Sequence, residues 1–251
     1  MEPHQAVRRS LSLFLLWFLT NSILFAALLA LIGVAILYAA LIAILLSLTT
    51  NVLAYRRMEL RIIAKVNAEE IDKGSYPKFE NLVAGLCVAH GFRNPNLFVV
   101  PDSAPNMMMV GKNSSLGNLI VTTGLLEKVN RVELEGLITH ELSRIRNRLA
   151  FLECTTAVLV AKPFVFFPGF VKFVTAKLFA PWSVAETDLQ AVALTRYPTA
   201  LASALSSLSI DGRELRVNPK FCRHLWINPP AKALIKSGFS TSDRVAALSE
   251  L

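Results

Sequence analysis

Residues 130–149 read NRVELEGLITHELSRIRNRL, and the rest of the chain can be interpreted from this stretch. Its apolar residues recur three or four positions apart, which is the spacing of one face of an α-helix. These residues are Leu134, Leu137, Ile138, Leu142, Ile145 and Leu149. Asn130 can cap the first turn, and Glu133 stands where a capping box needs its acidic partner. The pattern predicts one amphipathic helix over residues 130–149.

The middle of this helix carries an incomplete metal-binding motif. Zinc peptidase helices carry His-Glu-x-x-His, in which the two His bind the metal and the Glu takes a proton from metal-bound water. Here His140 and Glu141 are present, and Arg144 replaces the second His. A guanidinium group has only donors and a pKa above about 12, so Arg144 cannot serve as a zinc ligand.

Residues 76–147 resemble the HtpX-type membrane zinc metalloproteases. The stretches YPKFENLVAGLCVAHG, LFVVPDSAPN, VTTGLL and RVELEGLITHELS carry this resemblance. Further on, AETDLQAVALTRYPTALASAL is similar to the family's E-A-D-x-x-A-x-x-L-T-G-x-P-x-A-L segment, and HLWINPP, from His224, is similar to another family stretch. The resemblance implies that Glu186 occupies the position of the third zinc ligand, and Asp188 that of the neighbouring Asp.

The departures from the family pattern lie at positions that carry the chemistry. Besides Arg144, Leu149 stands where the family usually has Asp, and Arg196 and Tyr197 replace a Gly-x pair. The stretch FSTSDRVAAL lacks the His-Pro-Pro that the family places after Phe-Ser-Thr. These changes predict a pseudoprotease, a metalloendopeptidase fold used as a binding or scaffold subunit in a membrane complex. The alternative is an active zinc metalloendopeptidase that cleaves membrane proteins in quality control.

The sequence leaves three hypotheses open for Arg144. Its guanidinium could take the metal's place and neutralise Glu141 and Glu186, which would otherwise be buried charges. It could point to solvent and leave the site empty. In the third hypothesis zinc binds to His140 and Glu186, with His224 as a ligand from elsewhere in the chain. We expect no cofactor, with zinc as the alternative.

Composition and charge indicate a membrane protein. The chain has 251 residues, of which 53% are hydrophobic, with a mean hydropathy of +0.48 and a formal net charge of +8. That hydrophobicity is high for a soluble domain. The basic residues flank apolar spans and no nucleic-acid-binding motif is present. We expect the lipid bilayer and other membrane proteins as partners, and no nucleic acid. The three widely spaced cysteines predict no disulfide framework.

The N-terminal part of the chain predicts a membrane-spanning hairpin. Residues 10–55 contain no charged residue, and this run is long enough for two spans of about 20 residues each. Gly33 lies near its middle and is the expected turn. Arg8 and Arg9 precede the run and basic residues follow it from Arg56, so both ends are expected on the cytoplasmic side. This predicts an integral protein of a bacterial or archaeal-type cell membrane, with a cytoplasmic soluble domain.

Hydrophobic periodicity and the positions of Gly and Pro predict the remaining elements. A linker helix is expected over residues 56–75 and a peptidase-like domain over residues 76–251. The helices are expected at 76–90, from Ser183, at 199–208 and at 242–251, and the strands at 97–100, 107–110 and 119–123. Glu186 also fits a capping box with Ser183, which would be a structural role. The predicted fold class is an α+β membrane protein, with a transmembrane helical hairpin and a mostly helical metallopeptidase-like domain containing a small β-sheet.

Two segments of this domain have more than one interpretation. In metallopeptidases of this type an exposed edge strand holds the substrate by backbone pairing, and the candidates are Asn106, Met107, Met108 and Met109. We favour the interpretation that the three Met residues pack in the core.

Residues 151–182 form a second hydrophobic segment, interrupted by Lys and Pro. For it we predict a membrane-associated hairpin at the interface, with complete spanning as the alternative.

Overall fold

A long helical hairpin begins the protein in a computed structural model that describes residues 2–113, 116–179, 183–230 and 239–251. Helix α1 covers Pro3–Leu31 and helix α2 covers Ile36–Lys65. The chain reverses at Gly33, whose φ of 88° lies in the left-handed region that glycine adopts without a steric penalty. The predicted hairpin and its turn are confirmed.

The two helices of the hairpin have the composition of membrane spans. Each contains a window of mean hydropathy 2.2, and they pack against each other. In the apolar part of α2 the buried positions are small residues, Ala39, Ala43 and Ser47, whereas Leu and Ile side chains are exposed. Small residues let two helices approach closely inside a bilayer, and the large ones then face lipid. The chain is therefore an integral membrane protein.

Helix α2 continues past the apolar run and leads into the second domain. The helical prediction from residue 56 agrees with the structure as far as Lys65, and beyond it lies the short strand β1, Glu69–Glu70. Helix α3 follows at Pro77–His90 and ends at Gly91, which has a φ of 68°. The predicted end of α3 is confirmed.

A four-stranded mixed sheet lies in the middle of this domain. Strand β2 covers Asn96–Val100, β3 covers Met107–Val110 and β4 covers Asn118–Thr122. The strand order is β1-β2-β4-β3, in which β2 and β4 are parallel and the other two pairs are antiparallel. The three predicted strands are confirmed, whereas β1 was missed because two residues are too few to show a period.

Seven further α-helices lie within the described residues. They are α4 (Thr123–Lys128), α5 (Arg131–Arg146), α6 (Leu149–Thr156), α7 (Pro168–Leu178), α8 (Ser183–Thr195), α9 (Pro198–Asp211) and α10 (Thr241–Ser249). The prediction of one helix over residues 130–149 is wrong at its end. Arg148 adopts a φ of 62°, so α5 stops before it and Leu149 begins α6.

The sheet separates two apolar cores. Met108 and Ile120 face a core that also contains Met58 and Ile62 of α2 and much of α6. The neighbouring side chains of β3 and β4 face a second core built with α3, α5 and α9. Since both faces are covered, Met107, Met108 and Met109 are completely buried, as the core interpretation predicted.

The structure divides the second hydrophobic segment into a buried part and a partly exposed part. Every residue of α6 and of the π-helical turn Ala157–Ala161 is buried. Helix α7 buries only Val171 and Thr175 among its residues. Within the described residues, α1 and α2 are the helices long and apolar enough to span a membrane. The prediction for residues 180–182 lies outside the described residues.

The close approach of α4 to the loop between β2 and β3 gives a test of the packing. A Cβ added at Gly124 would lie 2.0 Å from the carbonyl oxygen of Ser103, whereas at Gly85 it would meet no atom within 4 Å. Gly124→Ala should lower the free energy of unfolding by about 1–3 kcal/mol through overpacking. Gly85→Ala, in the interior of α3, should raise it by up to about 1 kcal/mol. Thermal unfolding followed by circular dichroism in detergent measures both, and equal effects would contradict the described packing.

Candidate functional site

Helix α5 is buried throughout residues 136–145 and positions the candidate site. Asn130 accepts hydrogen bonds from the amides of Val132 and Glu133, and the Glu133 carboxylate accepts from the Asn130 amide, so the predicted capping box is confirmed. Farther along, Gly136 lets α9 approach closely, since a Cβ there would lie 3.2 Å from the Leu201 nitrogen. His140 follows one turn later, on the buried part of the helix.

The guanidinium of Arg144 is buried and contacts two carboxylates. Its Nη1 donates to Oε2 and Oε1 of Glu141 at 2.7 and 2.9 Å, and its Nη2 donates to Oε2 of Glu153. Nη1 also donates to the carbonyl oxygen of Leu225 at 3.1 Å. The hypothesis that Arg144 points to solvent is wrong. The hypothesis of a guanidinium between two carboxylates agrees with the structure, but the second carboxylate is Glu153 rather than Glu186.

The buried cluster holds one cation and two carboxyl groups, and burial raises the pKa of Glu153, which favours its neutral form. One guanidinium faces two carboxylates, so the cluster carries a net charge of about −1 if both carboxylates are ionised. Burial alone would lower the pKa of Arg144, but the charges of Glu141 and Glu153 outweigh that effect and raise it above its ordinary value. Arg144 is therefore a permanent cation that holds α5, α6 and the segment before Trp226 together.

A second charged cluster lies beside His140, whose Nδ1 is within ion-pair distance of Asp188 although the contact lacks the geometry of a hydrogen bond. Nδ1 of His140 lies 2.9 Å from Oδ1 of Asp188 in α8. Nε and Nη2 of Arg244, in α10, each donate to Asp188 at 2.8 Å, and Nη1 of Arg244 donates to the carbonyl oxygen of Ile227 at 2.9 Å. Burial opposes the charge of Asp188, but Arg244 and His140 outweigh it and hold the pKa of this carboxyl well below its usual range. A carboxylate on one ring nitrogen is the arrangement that orients metal-binding His residues.

The residues at the family's ligand positions do not fit a zinc ion. Glu186 lies in the first turn of α8 and is half-buried, and the predicted capping role of Ser183 stays a prediction because residues 180–182 are outside the described part. Across the described ranges, no group of three or more His, Cys, Asp or Glu side chains is arranged to hold a metal. Arg144 would in addition place a fixed positive charge beside a dication, which further disfavours binding.

His224 lies beside the Arg144 cluster, where the sequence left its role open. Its Nε2 is 3.3 Å from the carbonyl oxygen of Glu153, and its buried Nδ1 has no hydrogen-bond partner. Burial, with a smaller contribution from the charge of Arg144, lowers the pKa of His224 to about 4. The ring is therefore neutral at physiological pH and does not add a second cation to the cluster.

A cavity of about 740 Å³ opens onto these clusters. Side chains of α5, α8 and α10 line it together with the loop that follows α9. His140, Arg144, Glu153 and His224 all reach its wall. The indole Nε1 of Trp226, also in the wall, is buried without a hydrogen-bond partner. The cavity therefore lies next to the family's active-site position, lined by charged and polar side chains.

The outer edge of β3 is covered by the chain itself. Met108 forms an antiparallel bridge with Trp226, and the Ile227 amide donates to the Met107 carbonyl oxygen at 2.8 Å. The side chain of Asn106 exchanges hydrogen bonds with the backbone of Asn228 at 2.9 and 3.3 Å. The candidate substrate strand thus lies at the edge of the sheet but is paired with residues 226–228.

Sequence reasoning missed Glu153 and Arg244. A signal existed for Glu153, because it is the sole acidic residue between Glu141 and Glu186 and stands in an apolar run. A lone charge in such a run usually has a buried partner. Arg244 gave no comparable signal, since its partner Asp188 is 56 residues away in sequence.

The fold and the site define the class of protein. A helix carrying His-Glu packs against a helix carrying Glu and Asp beside a small sheet, which is a metalloprotease fold anchored by two membrane helices. The chain is 31% identical over 244 residues to the "Protease HtpX homolog" of Dictyoglomus thermophilum, covering 83% of this chain and 80% of that protein.

Other relatives carry the same description. The "Protease HtpX homolog" of Dictyoglomus turgidum is 30% identical over 234 residues, covering 80% of this chain and 77% of its own. That of Thermoanaerobacter pseudethanolicus is 37% identical over 109 residues, covering 43% of this chain and 36% of its own. The chain belongs to the HtpX family. No family model and no solved structure matches it.

Removing the Arg144 side chain should be costly. Arg144→Ala leaves two carboxylates buried without their cation, so the free energy of unfolding should fall by about 3–5 kcal/mol. Arg146→Ala is the matched control, because Arg146 is exposed on the same helix. Its guanidinium carbon lies 4.7 Å from the ring centre of Phe92. The control should cost at most about 1 kcal/mol. Chemical denaturation in detergent measures both, and equal losses would contradict the buried cluster.

The buried His224 should make stability fall in mild acid. The folded protein keeps this ring neutral down to a pKa of about 4, whereas the unfolded chain protonates it near 6.5. Lowering the pH through this interval therefore favours the unfolded state, by about 3 kcal/mol in total. His224→Asn removes the titrating group. The difference in unfolding free energy between wild type and variant should shrink as pH falls from 6.5 to 4, and a constant difference would contradict the assignment.

Proposed function

We propose that this protein is a membrane-anchored HtpX-like pseudoprotease that binds other membrane proteins without cleaving them. The observation that carries the proposal is the position of Arg144, buried between Glu141 and Glu153. The guanidinium stands at the motif position of a zinc-binding His and gives α5 a cross-link that needs no metal.

The state of Glu141 supports an idle site. In the active motif this carboxylate polarises a metal-bound water and accepts its proton. Here both of its oxygens accept hydrogen bonds from Nη1 of Arg144, and the side chain is completely buried. A carboxylate held in this way by a permanent cation is not directed at a water molecule.

The cavity supports a role in binding. Its wall combines the charged or polar side chains of His140, Arg144 and Glu153 with apolar ones such as Leu149 and Leu215. Binding sites are typically concave and place a few polar groups among apolar surface. A segment of another membrane protein that carries both apolar and polar side chains is the occupant that this wall fits.

The second candidate function is a zinc metalloendopeptidase acting on membrane proteins. The pairing of His140 with Asp188 favours it, because metal-binding His residues typically have a carboxylate beside their other ring nitrogen. The curated relatives are also named proteases. Under this alternative, Arg144 would have to leave the cluster before His140 and Glu186 could share a zinc ion.

A substitution at Arg144 tests the two candidates. Arg144→His restores the motif spacing, so zinc should stabilise this variant by about 2.7 kcal/mol when free zinc is a hundredfold above the dissociation constant. Zinc should not stabilise the wild type. Arg146→His adds a His at an exposed position of the same helix and should respond as the wild type does. Thermal melts with and without zinc give the comparison.

Two outcomes would overturn the pseudoprotease proposal. One is zinc stabilising the wild type as much as it stabilises Arg144→His. The other is chelator-sensitive cleavage of an unfolded membrane protein or a casein-like substrate by the wild type, lost in Glu141→Gln. Either result would favour the endopeptidase. Recovery of cleavage by Arg144→His is not expected, because the other departures from the family motifs remain.

The proposed orientation places the soluble domain on the cytoplasmic side, on the basis of the arginines at both ends of the hairpin. In inside-out vesicles, a membrane-impermeant maleimide should label Tyr197→Cys and not Ile32→Cys, both of which are exposed positions. Right-side-out vesicles should give the reverse. The native cysteines are buried, so the wild type controls for background labelling. Labelling of Tyr197→Cys from the outer side alone would contradict this topology.

A further inference from the structure

An exposed aromatic face lies on α7 and on the turn that precedes it. Four phenylalanines form it, with exposed fractions of 88%, 65%, 47% and 61%, and they are Phe166, Phe167, Phe170 and Phe173. Soluble surfaces rarely expose several large apolar side chains together unless they meet a partner or a membrane. We call this surface the α7 face.

The charge around the α7 face has a single sign. Residues 154–185 contain Lys162, Lys172 and Lys177 and no acidic residue. All three lysines are exposed, and the ammonium of Lys177 lies 4.4 Å from the ring centre of Phe173. Phenylalanine interleaved with lysine is the composition of helices that lie on anionic bilayers.

The α7 face is tied to the membrane hairpin. The guanidinium of Arg9 donates to the carbonyl oxygen of Leu178, at the end of α7. Arg9 is the last charged residue before the apolar run of α1, so this contact places one end of α7 near the bilayer surface. On its other side α7 is held to the fold through Val171, which is fully buried in the core that contains α6.

We propose that the α7 face lies on an anionic lipid bilayer, with its phenylalanines in the interface and its lysines against acidic headgroups. Helix α7 has 11 residues, so it is roughly 16 Å long and cannot cross a hydrocarbon core of about 30 Å. It is a surface contact beside the two spans. The inference goes beyond the proposed function and holds whether or not the site binds zinc.

This contact would orient the domain as well as anchor it. The π-helical turn that joins α6 to α7 packs against α1 and α2. Arg144 reaches into α6 through Glu153. A bilayer contact at α7 would therefore fix the tilt of the domain and the distance of the cavity from the membrane.

The test uses the full chain in lipid nanodiscs. Phe170→Cys carries an environment-sensitive NBD label, and Ile210→Cys is the control, since Ile210 is 81% exposed on α9. Nanodiscs contain phosphatidylcholine alone or phosphatidylcholine with phosphatidylglycerol. Quenching by doxyl-labelled lipid reports contact with the bilayer, and quenching by iodide reports contact with water. The unsubstituted chain, whose cysteines are buried, gives the background.

We expect lipid to quench the Phe170 label, and to do so more strongly in the phosphatidylglycerol discs. We expect iodide to quench the Ile210 label. Replacing Lys172 and Lys177 by Gln should reduce the equilibrium constant for lipid contact by about 30-fold, roughly fivefold for each lysine at an anionic surface. Iodide quenching of the Phe170 label equal to that of the control would overturn the proposal. Protection from both quenchers would also overturn it, because another protein surface would then cover the face.

Discussion

The contact between Arg144 and its two carboxylates is the interaction on which the centre of the domain depends. A metal ion joins helices by drawing several ligands to one point. Here a covalently attached cation does so, since Arg144 bonds within α5, reaches Glu153 of α6 and donates to the Leu225 carbonyl. The cross-link is always present because a guanidinium cannot lose its charge in a protein. Removing metal ions from solution would leave this cross-link intact.

The second cluster places a carboxylate beside His140, one helical turn from the position where Arg144 replaces the motif His. Asp188 contacts His140, and it is also held by two hydrogen bonds from Arg244 of α10. The same carboxylate contacts a side chain of the central helix and fastens a helix from the far end of the chain. Asp188 therefore has a structural role that does not depend on a metal ion.

Local patterns predicted most of the fold and part of the site. The spacing of apolar residues predicted α5, and Asn130 with Glu133 predicted its cap. The charge-free run predicted the hairpin, and Gly91 predicted the end of α3. The break at Arg148 could not be predicted, because a left-handed arginine has no marker in the sequence. The pairing of Arg144 with Glu153, like that of Asp188 with Arg244, is set by how helices pack, and no short stretch encodes it.

The segment at residues 226–228 has a consequence for solubility. Strand β3 is the last strand of the sheet, and its fully apolar sequence would make an open edge a template for pairing with other chains. The bridge from Trp226 and the hydrogen bond from Ile227 close that edge within the molecule. A chain cleaved or truncated before residue 226 would keep its membrane anchor and expose β3 as an unpaired, apolar edge strand. Intermolecular β-pairing and aggregation at the membrane surface would follow.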